Sequence, residues 1–428
     1  LIGLLDHAHH REGIIERSVA DYDLVRLDDD DLAELVDRHG PLRDVLPLAP
    51  LQNGLLFHAA YDGSDDVYAV QFTFDLDGCL DVDRLRDALG RVLTDIPNLG
   101  AAFHHVPQPI QVLPENVDVQ ISVHDLRNRP ASHRGAHASE VLSEDRLTPF
   151  DLTHPPLLRG VLVRMDDTRS IFALTIHHIL VDGWSMPLLA ERLFAAYAGR
   201  SVPVPRPFRD HLKVLAERSV EEGLAAWNEV LGDVQERSML CQDMEHLEVP
   251  DRIEVLLEER MSERLAKVAK QHGLTLNSLA QGAWGVVLSA VLGRGDVLFG
   301  TTVSGRPAEL HGMESMIGLF INTVPVRWTS TPADRLVDLL IDHQAQQQNL
   351  TPHHHIGLAD IQRVVGLGDL FDTLFVFENY PLDSSRLHAD VTDVSIEGIG
   401  GIDATHYPVT VVVIPGEQIL SLIHISEP

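Results

Sequence analysis

His177 and His178 stand side by side, and Asp182-Gly183-Trp184-Ser185 follows after a short apolar link. An imidazole can take the proton that an attacking amine loses, and a backbone N–H can donate to the oxyanion that forms as the amine adds to an acyl group. An α-amine titrates near pH 8, so a useful fraction is already neutral at pH 7 and a strong base is not obligatory. His178 therefore suits either of two tasks, proton acceptor or positioning group, and Gly183 suits that of N–H donor. Asp182 can reach back to orient the imidazole or can brace the turn, and Gly183 allows a backbone that other residues resist. Other chemistries fit less well. Adjacent strand histidines diverge, and no further ligand has zinc spacing, so we expect no metal site here. His353-His354-His355 with His343 is expected to belong to a solvated loop, able at most to bind metal adventitiously. The chain has neither a Gly-x-Ser-x-Gly elbow nor a glycine-rich phosphate loop.

These residues need a rigid frame. Ile171 to Ile176 is an apolar run of strand-favouring residues, and Met186 to Tyr197 carries apolar residues at helical spacing. The pattern is a buried strand, a tight polar turn and a helix. If the strand persists through the pair, one histidine packs inward and the other faces an opening. Around this centre, Pro50 is expected at a helix start with Leu51, Leu55 and Leu56 on its apolar face. Residues 67–76 alternate as a strand, Val82 to Leu93 reads as a helix, and Val161 to Met165 reads as a strand. In the second half, Glu221 to Leu231 and Ser278 to Leu292 read as helices, and Ile253 to Leu257 and Tyr407 to Ile414 as strands. Residues 1–40 are expected to be mainly a solvated linker with a short amphipathic stretch at Leu32 to Val36.

The chain has 428 residues, 44% hydrophobic and 23% charged, which suits a globular protein of two lobes. Its net charge of −31 argues against nucleic acid and against an anionic membrane surface. Cys79 and Cys241 lie far apart with no partner at metal spacing, which suggests a reducing, cytoplasmic compartment. No apolar run reaches the length of a membrane span.

The His-His-x-x-x-Asp-Gly motif resembles that of the condensation domains of nonribosomal peptide synthetases, a superfamily related to chloramphenicol acetyltransferase. Other segments in the same order strengthen the resemblance: 46–58 (LPLAPLQNGLLFH), 147–165 (LTPFDLTHPPLLRGVLVRM), 317–327 (IGLFINTVPVR) and 369–381 (DLFDTLFVFENYP). Phe208-Arg209-Asp210-His211 loosely resembles the fourth motif of the family, and 407–414 the start of the last. One departure stands out. Where the second motif has Arg, His and Arg, this chain has Asp95, Ile96 and Gly100, although the packing positions Leu99 and Phe103 are kept. Two cations that help brace the active-site loop in the family are thus missing.

The resemblance implies an α/β fold of two chloramphenicol acetyltransferase-like lobes in a V-shaped pseudodimer with a tunnel between them. The N-terminal lobe would span 41–204, with the boundary in the Pro- and Arg-rich stretch 200–210, and the C-terminal lobe 205–419. Residues 1–40 would be the linker and tail of an upstream epimerization-like domain; Asp21 to Val25 resembles such a linker. Residues 420–428 resemble translated sequencing adapter, are set aside from the fold, and would leave a strand edge unpaired. By resemblance His178 is the catalytic histidine, His177 its packing partner and Asp182 a structural brace. Arg306 is a candidate partner for Asp182 across the lobes. Asn322 either lines the site or makes a buried hydrogen bond, and Trp184 and Ser185 shape the pocket or pack in the core. The implied reaction joins a peptidyl thioester on an upstream carrier domain to the amine of an aminoacyl thioester on a downstream carrier. Both would ride on phosphopantetheine supplied by the carriers, with no cofactor bound by this chain, beside adjacent adenylation and epimerization domains. The motif variants resemble the subtype that accepts a D-configured donor. Three alternatives stay open: an epimerization domain, against which the order Trp184-Ser185 speaks; a coenzyme A-dependent acyltransferase; and an inactive carrier-docking platform.

Overall fold

The computed structural model describes residues 17–61, 68–105, 108–241, 251–307, 309–379, 394–402 and 407–425. The first half runs α1 (Asp29–His39), β1 (Leu42–Pro47), α2 (Pro50–Tyr61), β2 (Ala69–Gly78), α3 (Val82–Asp95), β3 (Ala102–His104), β4 (Ile110–Pro114), β5 (Ile121–Asp125), α4 (Ala131–Leu147), β6 (Leu158–Arg164), β7 (Arg169–His177) and α5 (Ser185–Tyr197). The second half continues with α6 (Phe208–Ala216), α7 (Val220–Leu231), β8 (Asp251–Leu256), α8 (Glu259–Gln271), α9 (Leu276–Leu292), β9 (Asp296–Val303), β10 (Asn322–Thr329), α10 (Leu336–Leu350), α11 (Leu358–Val365), β11 (Thr373–Phe377), β12 (Val394–Ile402), β13 (Val409–Ile414) and β14 (Leu420–Ile425).

Among the described residues three sheets form, ordered β1-β4-β3, β12-β2-β7-β6-β5 and β10-β9-β11-β13-β14-β8. β7 lies inside the five-stranded sheet, antiparallel to β2 and β6. Both of its faces are covered, which is why its sequence is almost continuously apolar. Phe172, Leu174 and Ile176 enter the main core, while Ala173 on the other face packs with Ala138 and Val141 of α4. α5 follows with Met186, Leu189, Leu193 and Phe194 in the main core, so strand and helix clamp the turn between them. β12 comes from late in the chain yet pairs with β2, from Val394↔Gly78 to Ile402↔Gln71, tying the two halves together.

The N-terminal stretch departs from expectation. Residues from 17 onward are packed on the sheet of β1 and β4: Tyr22 is 2% exposed and clusters with Leu32, Leu35, Val45 and Ile110. The helix also extends well beyond Leu32 to Val36, because Asp28 caps it and acidic residues fill its first turn. Arg209 on α6 adds an ion pair to Asp44 at 2.7 Å and another to Asp23. Residues 1–16 lie outside the described residues. The expected strand edge is not unpaired: Leu420–Ile425 lies between β13 and β8, and its alternation buries Leu422. β6 begins earlier than expected and ends before Met165.

Candidate active site

β7 ends at His177 and His178 opens the turn, so the strand does not run through the pair; the two histidines part because one closes the strand and the other starts the turn. His177 is 1% exposed, in edge or tilted contact with Tyr68 and Phe150. Its Nδ1 accepts the Ile179 N–H at 3.1 Å. His178 is half-buried, and its N–H donates to Tyr68 O at 2.8 Å. Its Nδ1 is buried without a hydrogen-bond partner, which leaves Nε2 as the ring nitrogen to assign to a substrate. The Gly183 N–H donates to no acceptor among the described residues. Gly183 does not adopt the left-handed backbone, so the conformational reason expected for it is not met. Its value here is a free donor beside the histidine turn.

Asp182 braces the turn and makes no hydrogen bond to either imidazole. One oxygen accepts the Ser185 N–H at 2.9 Å and the Ser185 hydroxyl at 2.7 Å; the other accepts the Phe320 N–H at 3.1 Å. Arg306 reaches the same carboxylate at 3.1 Å, with side-chain exposures of 7% and 0%. The guanidinium also donates to Met313 O and Met316 O and lies 4.0 Å from the Phe320 ring centroid. The expected partner across the halves is thus in place. Ser185 is fully buried and completes the seam: its hydroxyl contacts Gly318 O at 2.8 Å and accepts from Gly318 N and Arg306. Close approach requires glycine at two points. A Cβ on Gly305 (φ +58°) would sit 1.7 Å from Phe320 O, and one on Gly318 would sit 2.5 Å from the Phe208 ring. Trp184 is not plain core: its indole N–H donates to Glu314 O at 3.1 Å and Arg306 lies over its ring.

Asn322 takes the buried hydrogen-bonding role. Its amide donates to His354 O at 2.8 Å and Ile356 O at 2.7 Å. The loop of three histidines is consequently not a solvated one. His354 stacks on Trp227, whose indole donates to His353 O, and burial holds the His354 ring at about 4. His343 lies apart in the second-half core against Gln281. No group of metal ligands occurs among the described residues.

One of the three altered positions of the second motif, Gly100, has a steric account; Asp95 and Ile96 have none in the structure. A Cβ at Gly100 would meet Val117 Cγ2 at 3.0 Å, so the space beside this position is filled. The motif still joins the two halves, because buried Asn98 donates to Ile317 O at 3.1 Å. Sequence reading missed Asn98, and also Gln52, which donates to Ile179 O at 2.9 Å from α2. Each is a polar residue inside an apolar motif, and that was the available signal. His211 was also missed: it packs edge-on against Phe320, and burial, with the Arg306 guanidinium next, holds its pKa at about 3.

Comparison with known proteins gives one consistent result. A family model described as the condensation domain matches residues 42–423. The chain is 33% identical over 417 residues to one of the linear gramicidin synthase subunits of Brevibacillus parabrevis, covering 94% of this chain and 5% of that protein. It is 35% identical over 397 residues to vanchrobactin synthetase VabF of Vibrio anguillarum, covering 90% of this chain and 14% of that protein. It therefore spans a small part of the length of these relatives. The first condensation domain of the calcium-dependent antibiotic synthetase, solved with a substrate analogue, shares the fold with a TM-score of 0.70 at 20% identity, over 88% of this chain and 90% of that one.

Proposed function

The chain belongs to the condensation-domain family, whose members are amide-forming acyltransferases of nonribosomal peptide synthetases, and from that premise we propose that it joins two carrier-bound substrates through His178. The observation that carries this reading is a half-buried His178 on a turn that also carries the unpartnered Gly183 N–H and is pinned from both halves of the chain. The amine of the downstream aminoacyl thioester attacks the upstream thioester carbon. A C–N bond forms, the oxyanion takes a hydrogen bond from Gly183, and the C–S bond then breaks. The amine's proton passes by way of His178 Nε2 to the departing thiolate. Without a carboxylate on Nδ1, the imidazolium gains no fixed counter-charge, which favours a positioning role with transient proton transfer over strong base catalysis.

The donor is a D-terminated peptidyl group; the motif variants at 52–58, 177–185 and 375–381 and the segment 21–25 support this. Upstream and downstream carriers supply phosphopantetheine, adenylation and epimerization domains flank the chain, and the location is cytoplasmic. The test is single-turnover amide formation with carriers bearing matched D- and L-terminated donors. We expect product from the D donor and a loss of about 10²–10⁴-fold in His178→Ala. Equal use of both donors would remove the subtype. Full activity in His178→Ala would overturn the chemistry.

A further inference from the structure

Since the His178 ring has no side-chain partner on Nδ1, its aim must come from the backbone that carries it. That backbone is held at three points. The His178 N–H donates to Tyr68 O at 2.8 Å, and the Ile179 N–H donates to His177 Nδ1 at 3.1 Å. The third point is the Ile179 carbonyl, which accepts the Gln52 side-chain amide at 2.9 Å. Gln52 is 2% exposed and lies 127 positions away in sequence. Its own orientation is over-determined. Oε1 accepts the Ala49 N–H at 2.9 Å and the Gln111 amide at 3.2 Å, and Gln111, fully buried, also donates to Pro47 O at 2.8 Å. These acceptor bonds fix which end of the Gln52 amide is oxygen, so its nitrogen must face Ile179.

We propose that Gln52 is a positioning residue for His178, a clamp on the Ile179 carbonyl that holds the imidazole in line with the reacting amine. It rests on the reading of His178 given above. The peptide bond carrying the Ile179 carbonyl starts one residue beyond His178, so releasing that carbonyl lets the turn rotate and the ring tip move. Displacements of about 1 Å at a reacting group can cost about 10²-fold in rate. Gln111 then serves to hold the clamp, one step further from the reaction.

Two variants test it, each in the intact chain with loaded carriers. Gln52→Met keeps length and apolar bulk but loses all three hydrogen bonds. We expect kcat to fall about 10- to 100-fold with KM for both carriers unchanged. Gln52→Glu supplies a readout that a merely structural role does not move. Protonated, the introduced carboxyl can donate to Ile179 O while accepting from Ala49; ionised, it has no proton to donate and faces a carbonyl oxygen. The hydrogen-bond partners of Gln52 among the described residues are the Ala49 N–H, the Ile179 carbonyl and Gln111, none of them titratable; the nearest titratable groups in the turn it binds, His177 and His178, are present in parent and variants alike, so the ratio to the parent is the readout. Activity of Gln52→Glu relative to the parent should therefore fall as pH rises, while that of Gln52→Met stays flat. A flat ratio in Gln52→Glu, or a Gln52→Met kcat within twofold of the parent, overturns the clamp. If Gln52→Met does not fold, the Gln52→Glu ratio still decides. Failure of the underlying reading looks different, since His178→Ala would then be as active as the parent. In that event amide exchange over 176–183 tests the clamp alone: faster exchange in Gln52→Glu at high pH supports it, and unchanged exchange overturns it.

Discussion

Replacing Arg306 by Met tests how the two halves of the chain hold the histidine turn. Methionine keeps much of the aliphatic stem and removes the charge and the donors. The Asp182 carboxylate, fully buried, loses its ion-pair partner at 3.1 Å. Breaking a buried pair by removing one member costs about 3–5 kcal/mol. Asp182 retains the Ser185 N–H, the Ser185 hydroxyl and the Phe320 N–H, so the lower end applies, about 3 kcal/mol. Met313 O and Met316 O each lose a donor, adding about 1 kcal/mol apiece. The expected loss is about 5 kcal/mol, read in urea melts followed by exchange of the 178–185 and 313–320 amides. Asp182→Asn in the Arg306→Met background removes the uncompensated charge, so the double variant should recover about 2 kcal/mol of what the single losses sum to. Additivity within about 0.5 kcal/mol would refute the pairing. Because Asp182 bonds neither imidazole, Asp182→Asn should lower the rate without reshaping its pH profile, and a reshaped profile would return Asp182 to an orienting role.

Restoring the family's arginine by Gly100→Arg should destabilise the chain, because Val117 occupies the space at 3.0 Å; pairing it with Val117→Ala should recover stability, and a gain in Tm from Gly100→Arg alone would refute this. Asn322→Leu strands the buried Ile356 O and the part-buried His354 O and should cost about 2–4 kcal/mol in urea melts; no change would mean that the loop is held otherwise. Acid should weaken the fold through its buried histidines. Burial holds His211 at about 3 and His343 at about 4, against 6.5 for a free imidazole. Between those values the unfolded chain binds more protons, so their contribution is full above about pH 6.5 and declines toward pH 3–4. Each accounts for up to about 1.4 kcal/mol per pH unit. The urea midpoint should fall from pH 7.5 to pH 5, and less so in His211→Phe; an equal fall in both would remove His211 from the account.

The strand-turn-helix around His177 and His178 was legible in the sequence because each part has a local cause. An apolar run covered on both faces makes β7, which ends at His177, and helical spacing buries one face of α5. The motif order carried the family, and Arg306 in Ser-Gly-Arg-Pro stood out as a candidate partner of Asp182. Sequence spacing left other questions open that only the tertiary structure decided. Whether Asp182 orients the ring or braces the turn depends on Ser185, Phe320 and Arg306 arriving from both halves of the chain. Whether Asn322 lines a site or ties down a loop depends on where 354–356 returns. Gln52 gains a role only because α2 lies behind Ile179, 127 positions away. The N-terminal stretch read as solvated, since its charges are local and the apolar surface that buries Tyr22, Leu32 and Leu35 belongs to β1 and β4. Backbone propensity and side-chain period are properties of neighbours in sequence. A hydrogen bond between distant residues is a property of the closed fold, and in this chain such bonds hold the histidine in place.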